Sequence, residues 1–258
     1  MLLHYTETGQ GQPIVLLHGM AASTRFWDNL TPSLAANHRV IALDLLGFGR
    51  SPKPKQVTYG YETHIASILE TLDQLKLAYP AVFVGHSMGS LLALRLAFLH
   101  PHKVSKLVLL ALPYYNSPSE AKQSITKNTR RRLLAYYGPT SHVLCSTWCK
   151  FLRPISKHVA PAYLKSLPKA VAKDSVLHSW QSYAQSLDNV IAHQTVKRDL
   201  NKINIPVHII YGDKEDPIIR QNLRSLDGTA VNVHITKVGG GHNIGAYTDS
   251  AIINAALN

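Results

Sequence analysis

Long apolar stretches, acidic residues and cysteines are all scarce in this chain of 258 residues. No apolar run approaches the 18 residues from which a membrane-spanning helix is recognised, so we expect no such helix. The N-terminal residues also lack the basic start and the apolar region of a secretory signal. These absences lead us to expect a soluble, cytoplasmic protein.

The chain contains only two cysteines, Cys145 and Cys149. Four residues apart, they would share one face of a helix, but this spacing suits neither a redox Cys-x-x-Cys motif nor a zinc site without further ligands. We expect both to be small apolar residues of a helical segment, with mild sensitivity to oxidation as the alternative. We expect no metal and no other cofactor.

Asp and Glu number 15 against 27 Lys and Arg, which gives a net charge of +12. Residues 113–205 hold most of the excess, with 14 basic against 4 acidic residues, and they include Arg130, Arg131 and Arg132. A solvated basic face is the simplest explanation, and an anionic ligand or an acidic membrane surface are the others. No nucleic-acid-binding motif accompanies the charge, so we expect no nucleic-acid partner. Peripheral membrane contact is the less favoured alternative.

Short apolar, β-branched runs alternate along the chain with stretches of helical character. The predicted strands are 2–8, 14–17, 40–43, 81–84, 106–112, 205–211 and 231–235. The predicted helices are 23–36, 61–78, 90–99, 217–226 and 250–257. This alternation, with continuous apolar runs in the strands, predicts an α/β protein with a mostly parallel, doubly wound sheet.

Residues 113–205 interrupt the alternation. They contain no convincing strand, only helical stretches separated by prolines and rich in aromatic residues. We therefore divide the chain into an α/β core, residues 1–112 and 206–258, and a helical lid, residues 113–205. In an open α/β sheet such an insertion rises from the carboxyl ends of the strands, where ligands bind.

A serine between two glycines stands where one of the predicted strands gives way to a helix. Gly85–Gly89 reads Gly-His-Ser-Met-Gly, directly after the strand 81–84. A serine on so tight a turn takes a strained conformation that exposes its hydroxyl, which is the arrangement of a nucleophile elbow. A plain glycine-rich turn is the alternative, but the strand and helix around it favour Ser87 as a nucleophile.

A serine hydroxyl needs a base to take its proton. His242 is the best candidate, because it lies in the glycine-rich loop 239–243 that follows the last predicted strand. This position brings it to the carboxyl edge of the sheet, where the elbow also lies. His86, adjacent to the nucleophile in the turn, is interpreted as structural.

The base in turn needs a carboxylate to orient it, and the intermediate needs two backbone N–H donors. Three carboxylates, Asp213, Glu215 and Asp216, crowd the loop after the strand 205–211. One of them orients His242 in this interpretation. The donors we predict for the oxyanion are the N–H of Met88, after the nucleophile, and of Met20, after the strand 14–17.

Five segments together resemble the α/β-hydrolase fold superfamily, in its serine-nucleophile branch with a helical lid. In chain order the segments are Leu17–Met20, Asp44–Ser51, Gly85–Gly89, Gly212–Asp216 and Gly241–His242. The resemblance implies a Ser-His-acid triad. It argues against the dehalogenases and epoxide hydrolases of the superfamily, which carry an aspartate where this chain has Ser87.

The resemblance also bears on the acid. The acid of the family usually lies three residues after the glycine, which here is Glu215, whereas the usual residue type is Asp and a family-like Asp-Pro pair begins at Asp216. The spacing gives a slight preference to Glu215 over Asp216. The residue after the histidine is Asn243, where many relatives have Trp or Phe.

The function we expect is that of a serine hydrolase, similar to carboxylesterases, which cleaves a small-molecule ester under the aromatic, basic lid. The same triad would serve a thioesterase, a lactonase, a carbon–carbon bond hydrolase or an acyltransferase. The basic lid slightly favours an anionic substrate. The alternative from another class is a ligand-binding or signalling protein that keeps the fold with little turnover.

Overall fold

The computed structural model describes residues 1–128, 143, 147, 153–226, 232–247 and 250–257. The predictions made for Cys145, for Cys149 and for the run from Arg130 to Arg132 lie outside these residues. Within the described residues, the first two strands follow each other directly, and helical elements separate every later pair of consecutive strands. Between the fifth and sixth strands several helical elements follow one another.

A sheet of seven strands forms the centre of the described part of the chain. The strands are β1 (Tyr5–Thr8), β2 (Gln12–Leu17), β3 (His38–Leu43), β4 (Ala81–His86), β5 (Val104–Leu110), β6 (Val207–Gly212) and β7 (Val233–Val238). They lie in the order β1-β3-β2-β4-β5-β6-β7, with β1 antiparallel to β3 and every other neighbouring pair parallel. The predicted mostly parallel α/β sheet is confirmed.

Helices follow most of the strands. They are α1 (Thr31–Ala35), α2 (Tyr61–Gln74), α3 (Met88–Leu99), α4 (Pro118–Asn128), α5 (Arg153–Tyr163), α6 (Lys169–Asp174), α7 (Trp180–Ser186), α8 (Val196–Leu200), α9 (Pro217–Arg224), α10 (Ile244–Tyr247) and α11 (Ser250–Leu257). A π-helical turn, Leu187–Ala192, continues α7. None of the helices in this part of the chain combines the length and the apolarity needed to cross a bilayer.

Two helices are shorter than predicted, each for a local reason. The predicted helix 23–36 is split into a 3-10 turn, Thr24–Trp27, and α1. Pro32 lacks a backbone N–H to continue the earlier turn, and it is tolerated in the first turn of a new helix. Helix α2 ends at Gln74 because Lys76 has a φ of +48°, a left-handed conformation that ends a helix.

The core consists of two apolar layers, one on each face of the sheet. Along β2, Val15 and Leu17 enter one layer, and Ile14 and Leu16 enter the other, because successive side chains of a strand point to opposite faces. The first layer packs against α2, α3 and α9, and the second against α1 and α11. The sheet is therefore covered on both faces, as a doubly wound sheet should be.

Helix α7 is fastened to the loop that follows β3. Ser182 Oγ donates to the carbonyl of Gly47 over 2.9 Å, and the N–H of Tyr59 donates to Gln185 Oε1 over 2.9 Å. Gly47 has a φ of +87°, and a Cβ there would lie 2.3 Å from Ser182 Cβ. Only glycine permits this approach, so the helical segment is held close above the carboxyl edge of the sheet.

Candidate active site

Ser87 occupies a strained turn between β4 and α3. Its φ of +51° and ψ of −117° are rarely adopted by a residue with a side chain. A Cβ on Gly85 would lie 2.5 Å from the carbonyl oxygen of Gly89, and a Cβ on Gly89 would lie 2.1 Å from that of Leu17. Both glycines are therefore required by close backbone approach, and the N–H of Ser87 is held by the carbonyl of Leu110 at 2.9 Å.

A continuous chain of hydrogen bonds runs from Ser87 through His242 to Glu215. Ser87 Oγ lies 2.9 Å from His242 Nε2, and His242 Nδ1 lies 2.8 Å from Glu215 Oε2. The loops after β6 and β7 bring the acid and the base together, since a Cβ on Gly212 would lie 2.3 Å from the carbonyl oxygen of Gly240. Three residues far apart in sequence thus meet at the carboxyl edge of the sheet.

Asp216 has a different position from Glu215, although the two are adjacent. Its Oδ1 accepts from the N–H of Ile218 over 2.8 Å and caps α9, while its Oδ2 accepts from Ser124 Oγ over 3.0 Å. Pro217 is the first residue of α9, which is the position where proline is favoured, so Asp216 is placed at the N-cap. The structure therefore brings Glu215, and not Asp216, into contact with His242.

The surroundings of His242 favour its charged form. Burial lowers the pKa of the ring, but the charge of Glu215 and its hydrogen bond, with a smaller contribution from Asp216, outweigh burial and raise the pKa above its ordinary value. About 40% of the His242 side chain is exposed, against 4% for Glu215. The buried carboxylate thus stabilises an imidazolium on a ring that stays accessible from the cavity side.

His86, predicted to be structural, supports the loop that carries His242. Its Nε2–H donates to the carbonyl of His242 over 2.8 Å, and its ring stacks on Phe26 with centroids 4.3 Å apart. Burial lowers the pKa of His86 to about 3, so the ring is neutral. Sequence reasoning missed this contact with His242, because the adjacency of His86 to Ser87 does not indicate which loop the ring contacts.

The loop after β2 lies directly beside Ser87. A Cβ on Gly19 would lie 3.1 Å from Ser87 Cβ, and Met20 lines the same cavity as Ser87. His18 secures this loop: its Nε2 accepts from the N–H of Leu45 over 2.9 Å, so its Nδ1 carries the proton donated to the carbonyl of Gly19 over 2.6 Å.

Met88, the other predicted donor, is fully buried and is the first residue of α3. The N–H groups of a first helical turn have no acceptor within the helix, and the helix N-terminus favours negative charge. The peptide groups of Met20 and Met88 are thus both placed next to Ser87. Among the residues that the structure describes, no cluster of three or more His, Cys, Asp or Glu could hold a metal ion.

A cavity of about 720 Å³ opens over Ser87 and His242. Its walls are mainly apolar and come from both the sheet side and the helical segment. They include Ala22, Phe26, Val159, Leu164, Leu167, Tyr183, Leu187 and Ile191. The volume is typical of a site for a small-molecule ligand. The sequence predicted a substrate site under an aromatic lid, but it did not indicate which of the helical residues line the cavity, because their spacing also suits an ordinary core.

Asn243, the residue after His242, connects the loop of His242 to the helical segment. Its Nδ2 donates to the carbonyl of Ser166 over 3.1 Å. Ser166 and Asn243 both line the cavity. This contact joins the loop of His242 to the segment between α5 and α6.

The sequence profile of the alpha/beta hydrolase fold matches residues 12–246. The chain belongs to the α/β-hydrolase fold family. The hydrolase is 41% identical over 111 residues to "Probable lysophospholipase BODYGUARD 2" of Arabidopsis thaliana, a match that covers 41% of this chain and 23% of that protein. It is 38% identical over 107 residues to 2-hydroxy-6-oxo-2,4-heptadienoate hydrolase of Pseudomonas putida, covering 40% of this chain and 38% of that protein.

In these two matches the aligned part of the hydrolase spans well under half the length of the curated relative. Among solved structures, the esterase of Exiguobacterium antarcticum superposes with a TM-score of 0.73 at 22% identity, covering 99% of this chain and 96% of that one. This likeness shows the shared fold.

The geometry of this α/β hydrolase suits acyl transfer. A hydroxyl that is hydrogen-bonded to an imidazole can lose its proton as it attacks an electrophilic carbonyl, provided that a carboxylate orients the imidazole. Ser87, His242 and Glu215 have these relative positions.

Proposed function

We propose that this α/β hydrolase cleaves carboxylic esters through an acyl-enzyme, with Ser87 as nucleophile, His242 as general base and acid, and Glu215 as the orienting carboxylate. The observation that carries the proposal is the pair of hydrogen bonds, 2.9 and 2.8 Å long, that joins the three residues beneath an apolar cavity.

In the first step Ser87 Oγ attacks the ester carbonyl carbon while His242 Nε2 takes the hydroxyl proton. The tetrahedral intermediate collapses, the bond from the carbonyl carbon to the alkoxy oxygen breaks, and His242 returns the proton to the departing alkoxide. In the second step water attacks the acyl carbon while His242 takes its proton; the bond from the acyl carbon to Ser87 Oγ then breaks, His242 returns the proton to Oγ, and the carboxylic acid leaves.

We assign two backbone N–H groups as hydrogen-bond donors to the oxyanion of the tetrahedral intermediate in each step. Met88 offers the amide of a helix N-terminus, and Met20 offers that of a loop packed directly against Ser87. Preorganised donors of this kind contribute roughly 3–4 kcal/mol each to transition-state stabilisation.

The cavity walls favour a neutral acyl or alcohol group. Within the described residues the walls contain no Lys or Arg, so this part of the site offers no counter-ion for a carboxylate substrate. An apolar chain buried there would gain free energy from each methylene removed from water. We therefore place an uncharged, medium-length ester ahead of the anionic substrate that the charge of residues 113–205 favours.

Turnover of p-nitrophenyl esters is expected to rise with acyl length. Each buried methylene is worth about 0.8 kcal/mol, so kcat/KM should increase about fourfold per methylene until the cavity is filled. Steady-state rates on a series from acetate to decanoate would measure this. A flat or falling series would contradict the placement of the acyl chain in the cavity.

A fluorophosphonate probe distinguishes the enzyme from a low-turnover ligand-binding protein. We expect stoichiometric labelling of Ser87, identified by mass spectrometry, together with ester turnover in the unlabelled protein. Labelling without turnover would support the binding protein, and labelling at another serine would refute the assignment of the nucleophile.

The pH dependence follows from the raised pKa of His242. The base must be neutral to accept a proton, so kcat/KM should fall as the pH drops, with an inflection above 6.5. The charge of Glu215 is a main cause of the elevation, so Glu215→Gln should move the inflection toward lower pH. A rate profile of the unaltered protein with its acid limb well below pH 6.5 would count against His242 as the base.

A further inference from the structure

Helix α5 turns a stripe of large apolar side chains toward solvent. Ile155, Val159 and Tyr163 follow one another at intervals of four residues, and they are 62%, 42% and 81% exposed. Residues four apart lie on the same side of a helix, so the three form one continuous ridge. Contiguous exposed apolar surface is typical of sites that bind proteins, membranes or ligands.

The ridge stands at the mouth of the catalytic cavity. Val159 and Tyr163 line the cavity while remaining largely exposed, so they form its rim. Tyr247, 58% exposed, lines a second, smaller cavity that also contains Ser166 and His242. Apolar surface thus borders the opening through which a substrate would reach Ser87.

Basic residues are concentrated in the segment that contains the ridge and in the helix that follows it. Residues 153–173 contain five basic residues and no Asp or Glu. The four lysines among them are exposed: Lys157, Lys165, Lys169 and Lys173. None of these lysines forms an ion pair with another residue that the structure describes.

We infer that this face docks on an anionic lipid surface. Ile155, Val159 and Tyr163 enter the boundary between headgroups and acyl chains, while the flanking lysines meet the anionic headgroups, which is the arrangement of an interfacial amphipathic helix. The docking rests on the structure of α5, whereas the passage of a lipid ester from the bilayer into the cavity rests on the proposed function.

A second copy of this chain fits the same face poorly. A two-fold contact across the ridge would bring the lysines of residues 153–173 close to those of the other copy, in a protein whose net charge is already +12. An anionic bilayer instead offers acyl chains for the apolar ridge to contact and, nearer the water, anionic headgroups for the lysines to bind.

The test is co-sedimentation of the purified full chain with phosphatidylcholine vesicles that contain or lack phosphatidylglycerol. We expect binding to the anionic vesicles that weakens with added salt, and little binding to the neutral ones. Ile155→Asp should weaken binding at least about tenfold, because a charge replaces the apolar group at the first position of the ridge. Ile155 does not line the cavity, so turnover of a soluble ester should be unchanged.

Two pairs of charge variants test whether vesicle binding depends on the lysines of this face or on the net charge of the protein. The pair Lys165→Gln and Lys169→Gln should weaken binding by about 25-fold, since each lysine near an anionic surface contributes roughly fivefold. The matched pair Lys76→Gln and Lys202→Gln removes the same charge from exposed positions that precede β4 and β6, at the opposite edge of the sheet. This control should change binding by less than about threefold.

Each contrary result is distinct from a failure of the proposed function. Equal weakening by the two lysine pairs, absence of vesicle binding, or self-association that Ile155→Asp abolishes would overturn the docking surface even if soluble esters are hydrolysed. Vesicle binding by a chain that hydrolyses no ester would support the docking surface and refute the proposed function.

Discussion

Ser87→Ala is expected to lower kcat for p-nitrophenyl butyrate on the order of 10⁴-fold or more. The Oγ of Ser87 is the atom within 2.9 Å of His242 Nε2, and alanine leaves the base with no hydroxyl to activate. The substitution removes a single oxygen atom. Alanine at this position has the same strained φ of +51° as serine, so the fold should persist. Steady-state kinetics with circular dichroism would check both expectations.

Ser90→Ala is the matched control, because it makes the same chemical change one helical turn away. Ser90 Oγ donates to the carbonyls of Gly85 and Leu110 over 2.8 and 2.9 Å, and it does not reach the base. Loss of these buried bonds should lower the free energy of unfolding by about 1–2 kcal/mol while kcat falls less than about tenfold. Ester turnover by Ser87→Ala at the rate of the unaltered protein would refute the assignment of Ser87 as the nucleophile.

Glu215→Gln is expected to lower kcat by roughly 10³- to 10⁴-fold. The carboxylate of Glu215 accepts from His242 Nδ1–H over 2.8 Å and holds a lone pair on Nε2 toward Ser87. A glutamine amide can donate to Nδ1 instead, which favours the wrong tautomer, and it carries no charge to stabilise the imidazolium. Single-turnover and steady-state rates on a soluble ester would measure the loss.

Asp216→Asn, the neighbouring substitution of the same type, should cost less than about tenfold in kcat. Asp216 caps α9 through the N–H of Ile218, and asparagine is an equally good N-cap, so stability should change little. The two variants decide between the carboxylates that the sequence left open. A larger loss of kcat in Asp216→Asn than in Glu215→Gln would assign the orienting role to Asp216.

The strands and the strained turn at Ser87 were predictable because short-range physics dictates them. A buried run rich in β-branched residues, such as Ala81–Val84, favours a strand. The two glycines around Ser87 are needed because a Cβ on either would lie 2.5 Å or less from a backbone carbonyl oxygen. Helix ends were less predictable. Lys76 ends α2 in a left-handed conformation for which its residue type gives no signal.

The sequence gives only a slight preference to Glu215 over Asp216, since either carboxylate can orient a histidine. Their difference lies in the turn after β6, which gives Asp216 the helix cap before Pro217 and turns Glu215 toward the loop after β7. That loop is some 27 residues away in sequence, so its position depends on the packing of β7 beside β6. Only the folded sheet brings the two loops together.

The serine between glycines at Gly85–Gly89 and the basic excess of residues 113–205 can be recognised in the sequence by itself, since composition and local spacing are all they require. The tertiary structure decided the carboxylate that meets His242 and the direction in which the apolar side chains of α5 point. An apolar stripe in a helix sequence ordinarily predicts a buried face, whereas Ile155 and Tyr163 are turned to solvent. The physical reason is that long-range packing determines which face of a helix is covered, and no local pattern records it.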